Sequence, residues 1–441
     1  MVVLLGLLSS QAAAVDLKLE GQLNQYSGLS PVLRPSAALT LEARPYARER
    51  GGTTYNLDVV LFGRYGEGVE EGRKHVDIRE FGYIFANRHL EWRMGIGRAF
   101  WGVTESVHLV DIINQDDALE DIDGEDKLGQ PWLAASTRLG PGNLGVFVLP
   151  RFREREFSPV FRELAPFAIR EEERRFESSR EQQHVDYALR YGQRWGGLEA
   201  RLSYFQGTNR EPVLQPCAAQ GSGRPGTENQ ANCDLSEAFA PPDVDPLTAV
   251  LINTAALFDL GPSQDELEEE FIEEALADVV LIPRYDQIQQ VGLEAQWVRG
   301  AAAWKLEGRW REQRSEDQIA FAGGVEYSLG VFWDGLLDIG LLAEYLYDDR
   351  DPDVFFNLFD DDIFVGTRVL GNDIAGTQIL GGVIVDRNDG SWFWSLEASR
   401  RLNGRLLATI ETRGFQPRGE AAVTDFLDDL DSLRLQLELF F

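Results

Sequence analysis

Apolar and polar residues alternate along most of this chain. In the last segment Leu433, Leu435, Leu437, Leu439 and Phe441 share one face, while Ser432, Arg434, Gln436 and Glu438 share the other. A period of two places successive side chains on opposite faces and marks a β-strand. The same reading applies to Leu90, Trp92, Met94 and Ile96 against Glu91 and Arg93. It applies again to Val291, Leu293, Ala295 and Trp297 against Gln290, Glu294 and Gln296, and to Trp304, Leu306 and Trp310 against Lys305, Glu307, Arg309 and Arg311. The pattern predicts about eighteen strands. They lie near 16–28, 34–48, 53–64, 75–87, 88–98, 131–139, 142–151, 183–193 and 195–207, then 284–298, 300–313, 317–330, 335–349, 362–371, 374–387, 390–402, 404–416 and 430–441.

A soluble antiparallel sheet alternates too, but its apolar face needs a second layer, and no helical pattern here supplies one. In lipid a sheet must close so that no backbone edge is left unpaired. The expectation is an all-β fold: a transmembrane antiparallel β-barrel of about 16–18 strands with long extracellular loops, one of them containing a short helix. Connection lengths agree with this. With both termini in the periplasm every second connection should be tight, and Asn87-Arg88, Gly140–Gly142, Gln193–Gly196, Arg299-Gly300, Phe332–Asp334, Asn372-Asp373 and Asn403-Gly404 all read as turns. The long connections 99–130, 151–182, 208–283, 350–361 and 417–429 fall on the opposite side. Losing one hairpin would keep this parity, so sixteen strands stays open.

The N-terminus adds an address. Val2 to Leu8 is apolar, and Ser9, Ser10 and Gln11 then lead into Ala12-Ala13-Ala14, a signal-peptide pattern with cleavage before Val15. Residues 1–14 are therefore the expected signal peptide, and 15–441 a single barrel domain. No segment approaches the ~18–20 apolar residues of a membrane-spanning helix. Charge narrows the partners: 42 Lys and Arg against 73 Asp and Glu give a formal −31. That balance excludes a phosphate-neutralising nucleic-acid face. Aromatic residues make up 11% of the chain, with 10 Trp, which suits rings at two membrane interfaces.

Two features carry a resemblance. Outer-membrane barrels end in an alternating strand with a terminal Phe that the assembly machinery reads, and Phe441 matches that pattern. Gly97-Arg98, Trp101-Gly102, Glu105 and the stretch from Asp111 to Asn114 are similar to a class of uncharacterised Gram-negative barrels, in which a strand runs through Gly-Arg-x-x-x-Trp-Gly-Glu into an Asn-rich loop. This chain departs by placing Val103-Thr104 before Glu105. The resemblance implies a porin-like barrel of the Gram-negative outer membrane, in a group with some members linked to energised lipid exporters.

Function is expected in the loops. Residues 99–130, apolar with Gly hinges, suit a loop that folds into the lumen and narrows it; Arg98, Trp101 and Glu105 are the candidate constriction residues. The bland alternative is an extracellular cap. The same loop carries Asp116, Asp117, Asp121, Asp123 and Asp126, a candidate Ca²⁺ set, although the spacing misses an EF-hand because no carboxylate closes it. A solvated acidic loop, or one bridged to lipopolysaccharide by divalent ions, is the alternative. In the large loop 208–283, Cys217 and Cys233 are expected to form a disulfide in an oxidising compartment. From Asp234 to Val280 that loop has 13 acidic residues and no Lys or Arg. Gln264 to Val280 shows helical spacing, and the Arg-rich stretch 151–180 is a candidate partner for this acidic lid.

Charges on the lipid face would cost roughly 2–4 kcal/mol each at mid-membrane, so Arg93, Arg190, Arg201, Arg309, Arg311, Arg413 and Arg434 should face the lumen beside Glu91, Glu199, Glu294, Glu307, Glu397 and Glu438. Arg93, Arg190, Arg201, Arg309 and Arg311 join the candidate pore residues. Catalysis is not expected: there are four His, Ser106 and His108 beside Glu105 lie two apart on one strand face and rarely make triad geometry, and no hydrolase, zinc or nucleotide motif appears. The expected function is passage of small solutes. A non-conducting partner of a lipid or polymer export system and a surface-binding receptor are the alternatives. Expected partners are membrane lipid and lipopolysaccharide, the barrel-assembly machinery, and periplasmic or inner-membrane transport proteins. No cofactor is expected beyond Ca²⁺.

Overall fold

The computed structural model describes residues 14–29, 32–67, 72–165, 167–218, 231, 233, 279–314, 316–350, 359–418 and 427–441. One antiparallel sheet of eighteen strands runs through them. Its strands are β1 (Ala14–Tyr26), β2 (Arg34–Arg50), β3 (Thr53–Gly66), β4 (His75–Ala86), β5 (Leu90–Gly97) and β6 (Gln130–Leu139). Next come β7 (Gly142–Leu149), β8 (Asp186–Trp195), β9 (Leu198–Thr208), β10 (Gln287–Arg299), β11 (Ala302–Gln313) and β12 (Glu316–Phe332). The last six are β13 (Leu337–Asp348), β14 (Asp361–Gly371), β15 (Gln378–Asp386), β16 (Trp392–Arg401), β17 (Leu406–Gln416) and β18 (Ser432–Phe440). Each pairs with its sequence neighbour, and β18 returns to β1 from Lys18↔Phe440 to Tyr26↔Ser432. Phe441 N donates to Leu17 O at 2.9 Å across this seam. The sheet is therefore a closed barrel, with no edge left to pair with another chain.

All eighteen expected strands are present, their ends shifted by a few residues. The alternation sorts as membrane physics requires. Leu19, Leu23, Leu133, Leu202, Leu293, Leu341, Ile410 and Leu437 lie on the outer, exposed face. Glu20, Gln22, Asn24, Gln290, Glu294, Glu307 and Glu344 point inward and are buried. Trp195, Trp297, Trp304 and Trp333 are exposed toward one rim, where rings anchor a barrel at the interface. Tight turns occupy that rim. The β2–β3 turn is Gly51-Gly52, with φ of 61° and 74°, the doubly left-handed geometry that lets a two-residue hairpin match strand twist.

The opposite rim carries the long connections. There Val213–Ala218 pairs with Val279–Tyr285, which adds Ala168–Ile169 and Arg175–Phe176 in parallel to make a small second sheet. Cys217 and Cys233 are joined by a disulfide beneath Ala231, Val280 and Ile282. Among the described residues one α-helix occurs, α1 (Pro159–Leu164), in the loop between β7 and β8, and Ser158 Oγ accepts from Phe161 N at 3.1 Å as its cap. Of the helical expectation at Gln264 to Val280, residues 264–278 lie outside the described residues, and Val279 and Val280 at its end are strand. Residues 1–13 of the expected signal peptide also lie outside them, and Ala14 opens β1.

Among the described residues the loops 151–182 and 208–283 meet through the parallel bridges just named, and Glu173 Oε2 accepts from Ala231 N at 2.7 Å. Four of the arginines have these partners: Arg153 pairs with Asp77 at 2.7 Å, Arg155 with Asp116 at 3.5 Å, Arg162 with Glu171 at 3.3 Å and Arg170 with Glu173 at 2.9 Å. The acidic run 234–278 lies outside the described residues.

Candidate pore and its inner loop

Between β5 and β6 the chain (98–129) turns into the lumen. Trp101 leads it in, with 2% of its surface exposed, packed with Val110, Ile112 and Ile113 against Trp132, Leu149, Ala188, Phe205 and Ile288 of the wall. Arg190 stacks over the Trp101 ring at 4.9 Å. Gly102 follows with φ of 152°, and a Cβ there would lie 2.9 Å from His108 Nδ1 and 3.0 Å from Glu307 Oε1. Only glycine allows the backbone so close to the wall.

Three wall carboxylates then hold the loop by its amides. Glu294 Oε1 accepts from Gly102 N at 3.1 Å. Glu307 Oε1 accepts from Val103 N at 2.6 Å and Thr104 N at 3.0 Å, and from the Thr104 hydroxyl at 2.7 Å. Glu344 accepts from Glu105 N and Ser106 N, both at 2.9 Å, and from the Ser106 hydroxyl at 2.6 Å. Charge-assisted bonds of this kind are about twice as strong as neutral ones. They carry the loop across from β10 to β13, where Glu105 meets Arg368 at 2.6 Å and Lys305 at 3.6 Å.

The second half of the loop is held by arginines instead. Asp117 bonds to Arg79 at 2.5 Å, and Glu120 accepts from Arg64 Nε at 2.7 Å. Arg64 Nη2 also reaches Glu20 on β1 at 2.6 Å. Asp121 is gripped by Arg413 and Arg434, and Asp123 lies 3.6 Å from Arg413. Lys127 ties the halves together, 3.0 Å from Asp111 and 2.5 Å from Asp116. Burial works against ionised Asp121, but Arg434 and Arg413 outweigh it and hold its carboxyl at about 2. Its neighbours go the other way: burial and then Asp121 push Asp123 up to about 6, and burial and then Glu120 push Asp126 up to about 6.

The five carboxylates of the calcium expectation therefore diverge. Asp116, Asp117 and Asp121 each turn to a different cation, and only Asp121 and Asp123 share a centre, with Glu411. Of the constriction candidates, Glu105 lies in the cross-lumen span. Arg98 is half-exposed in the lumen and pairs with Glu80 at 3.0 Å. Trp101 is a buried anchor and does not face open water. Arg93 pairs with Glu91 at 2.6 Å, Arg190 with Glu294 at 2.5 Å, and Arg201 with Glu199. All three stand on the lumen face between the loop and the tight turns.

Cavities lie on both sides of the loop. On the turn side one of about 520 Å³ is lined by Glu20, Arg64, Arg98 and Gln436, and another of about 480 Å³ by Arg190, Arg201 and Glu199. On the long-loop side a cavity of about 340 Å³ has apolar walls of Phe157, Phe161, Phe359 and Phe415. Its floor is cationic: Glu211 lies 3.8 Å from Arg309, 2.7 Å from Arg311 and 3.0 Å from Arg350. Asp348 takes Arg309 at 2.9 Å and Arg350 at 2.8 Å. Burial opposes the Glu211 charge, yet Arg350, Arg311 and Arg309 hold its carboxyl well below the usual range.

Arg309 and Arg311 were legible as lumen-facing from the strand period. Glu344 and Arg368 stand on equally regular strands and could have been found the same way. Glu211 and Arg350 sit in connections, where no local pattern marks them.

No family model matches the chain, and no curated protein matches it. Solved structures do. The outer membrane protein OpdK of Pseudomonas aeruginosa has a TM-score of 0.51 at 10% identity, with 97% of this chain and 98% of that chain covered. OccK3 (OpdO) of the same organism has a TM-score of 0.51 at 10% identity, over 98% of this chain and 96% of that one. OpdK with vanillate gives 0.51 at 10% identity, over 98% of each chain. The likeness spans the whole barrel and is one of fold.

Proposed function

We propose that this chain is a porin-like channel of the Gram-negative outer membrane that passes small solutes. The observation that carries the reading is the inner loop 98–129: it crosses a closed barrel, is fixed to wall carboxylates and arginines, and has cavities of several hundred Å³ on either side, about 520 and 480 Å³ toward the turns and about 340 Å³ toward the long loops. A loop in that place narrows the lumen and sets what can pass. Arg98 and Glu105 are constriction residues, and Trp101 positions them from its buried pocket. Lipid surrounds the apolar belt, lipopolysaccharide meets the long loops, and Phe441 closes the strand that barrel assembly would read. OpdK has been solved with vanillate, a small aromatic carboxylate. Here the Phe-walled cavity over Arg309, Arg311 and Arg350 offers complementary chemistry to such a solute once Glu211 moves aside.

The purified chain in planar bilayers provides the test. Discrete conductance steps with a defined reversal potential in a salt gradient are expected. A folded, heat-modifiable barrel that never conducts would overturn the channel reading and favour a plugged partner of an export system.

A further inference from the structure

Asp362 opens the lumen face of β14 directly opposite Asp386 of β15. Like charges facing each other across a strand pair repel. Asp360, just before β14, joins them, and one carboxylate oxygen from each of the three lies within 4.8 Å of the others. Acidic clusters at loop ends are common, and by itself this one would mean little. Asp362 makes it different: 2% of the residue is exposed, and its Oδ2 is buried with no hydrogen-bond partner. Its neighbours on the inner face are apolar, with Leu346 opposite on β13 and Phe364 and Ile384 one step along, all buried. A carboxylate in such a place is costly unless something neutralises it.

Among the described residues no cation does so. Arg387, next to Asp386 in sequence, pairs with Asp361 at 2.7 Å, and Asp361 alternates to the outer face together with Tyr345; Arg368 on the same strand pairs with Glu105 and Glu326. The other two carboxylates are held in orientation. Asp386 Oδ1 accepts from Asn388 N at 2.5 Å and Asp389 N at 3.0 Å, and Asp360 Oδ1 accepts from Asp361 N at 3.0 Å. Three oriented carboxylates, one of them with a dry, unpartnered oxygen, form the donor set of a hard divalent cation.

We propose that Asp360, Asp362 and Asp386 bind a calcium ion at the long-loop end of β14 and β15. An all-carboxylate donor set suits Ca²⁺, which takes six to eight oxygen ligands at about 2.4 Å in flexible geometry, whereas Mg²⁺ demands a near-ideal octahedron at ~2.1 Å and resists losing its water. The bound ion joins the connection that enters β14 to the tight loop that leaves β15, and it cancels the repulsion between Asp362 and Asp386. The site is separate from the acidic run 116–126 and does not depend on whether the barrel conducts.

Calorimetric titration of the chelator-stripped full chain in detergent with CaCl₂ tests this, beside Asp362→Asn and, as a control for other acidic groups, Asp123→Asn/Asp126→Asn. The proposal expects saturable binding by the parent and by the control, and at least about tenfold weaker binding by Asp362→Asn. It also expects Ca²⁺ to raise the parent's unfolding temperature, and Asp362→Asn to be more heat-stable than the parent in chelator because the repulsion is gone. No binding by the parent would overturn it, with Asp362 then neutralised by a proton. Unchanged binding in Asp362→Asn, or loss of binding in the control pair, would overturn it as well.

Discussion

Thr104 gives both its backbone N–H and its hydroxyl to a single oxygen of Glu307, at 3.0 and 2.7 Å. Val103 N donates to the same oxygen, so one wall carboxylate fixes the turn of the inner loop. Removing it leaves three donors behind, at about 1–3 kcal/mol for each that stays dry. Glu307→Ala, combined with Glu344→Ala, is expected to release the loop from the β11–β13 wall. Single-channel records should then show larger and noisier conductance. Glu307→Gln keeps a carbonyl acceptor and should stay near the parent; equal behaviour of the alanine and glutamine variants would refute the tether.

The barrel was legible because lipid outside and polar groups inside impose a period of two on every strand. Leu433 to Leu439 against Arg434 to Glu438 shows it without ambiguity. The inner loop was legible in part. Its apolar stretch and glycines pointed into the lumen, but the inward turn of Trp101 depends on a pocket built by β6, β7, β8 and β9, which no local pattern specifies. The five aspartates of the calcium expectation spread apart for a related reason: neighbours in sequence turn to Arg79, Arg413 and Arg434, cations placed by three distant strands, and to Lys127 of the loop itself. Helix α1 carries its own local signal in Ser158-Pro159, a cap residue followed by proline at the first turn, whereas the helical spacing at 264–278 lies outside the described residues.

Trp101 ties the inner loop to the barrel through packing and through the Arg190 guanidinium over its ring. Its ring meets Phe147 edge-on at 5.7 Å inside a cluster from which water is excluded. Trp101→Ala leaves a cavity and should cost about 3–5 kcal/mol of loop anchoring. The expected readout is protease cleavage within 98–129 while the strands remain protected and heat-modifiable. Loss of the whole barrel, or a loop as resistant as the parent's, would each contradict this local role.

Glu211 holds three guanidinium groups together from a connection, not from the barrel wall. Glu211→Gln removes the shared counter-charge and leaves Asp348 alone with Arg309 and Arg350. The reversal potential in a KCl gradient is expected to move toward chloride selectivity. Adding Arg350→Gln should bring it back toward the parent. An unchanged reversal potential in the single variant would mean that ions do not pass this cavity.

Asp123 and Asp126 set the last expectation, and its sign follows from their titration. Both are ordinary carboxyls near 3.8 in the unfolded chain and are pushed to about 6 inside the lumen. They are thus neutral at acidic pH and become charged as pH rises through about 6. Burial opposes the charge on His108, but Glu307 outweighs it and keeps the ring protonated to higher pH, so His108 too can only lose positive charge as pH rises. Every change makes the lumen more negative as pH rises, so potassium over chloride selectivity should increase from acidic to neutral pH. Folding stability runs the other way for the two aspartates. Their contribution is complete below the unfolded value near 3.8 and is lost as pH rises through about 6, because ionising them opposes the folded state. Asp123→Asn/Asp126→Asn should therefore flatten both the selectivity rise and the stability loss. A double variant that keeps the full pH response would assign the titration to other groups.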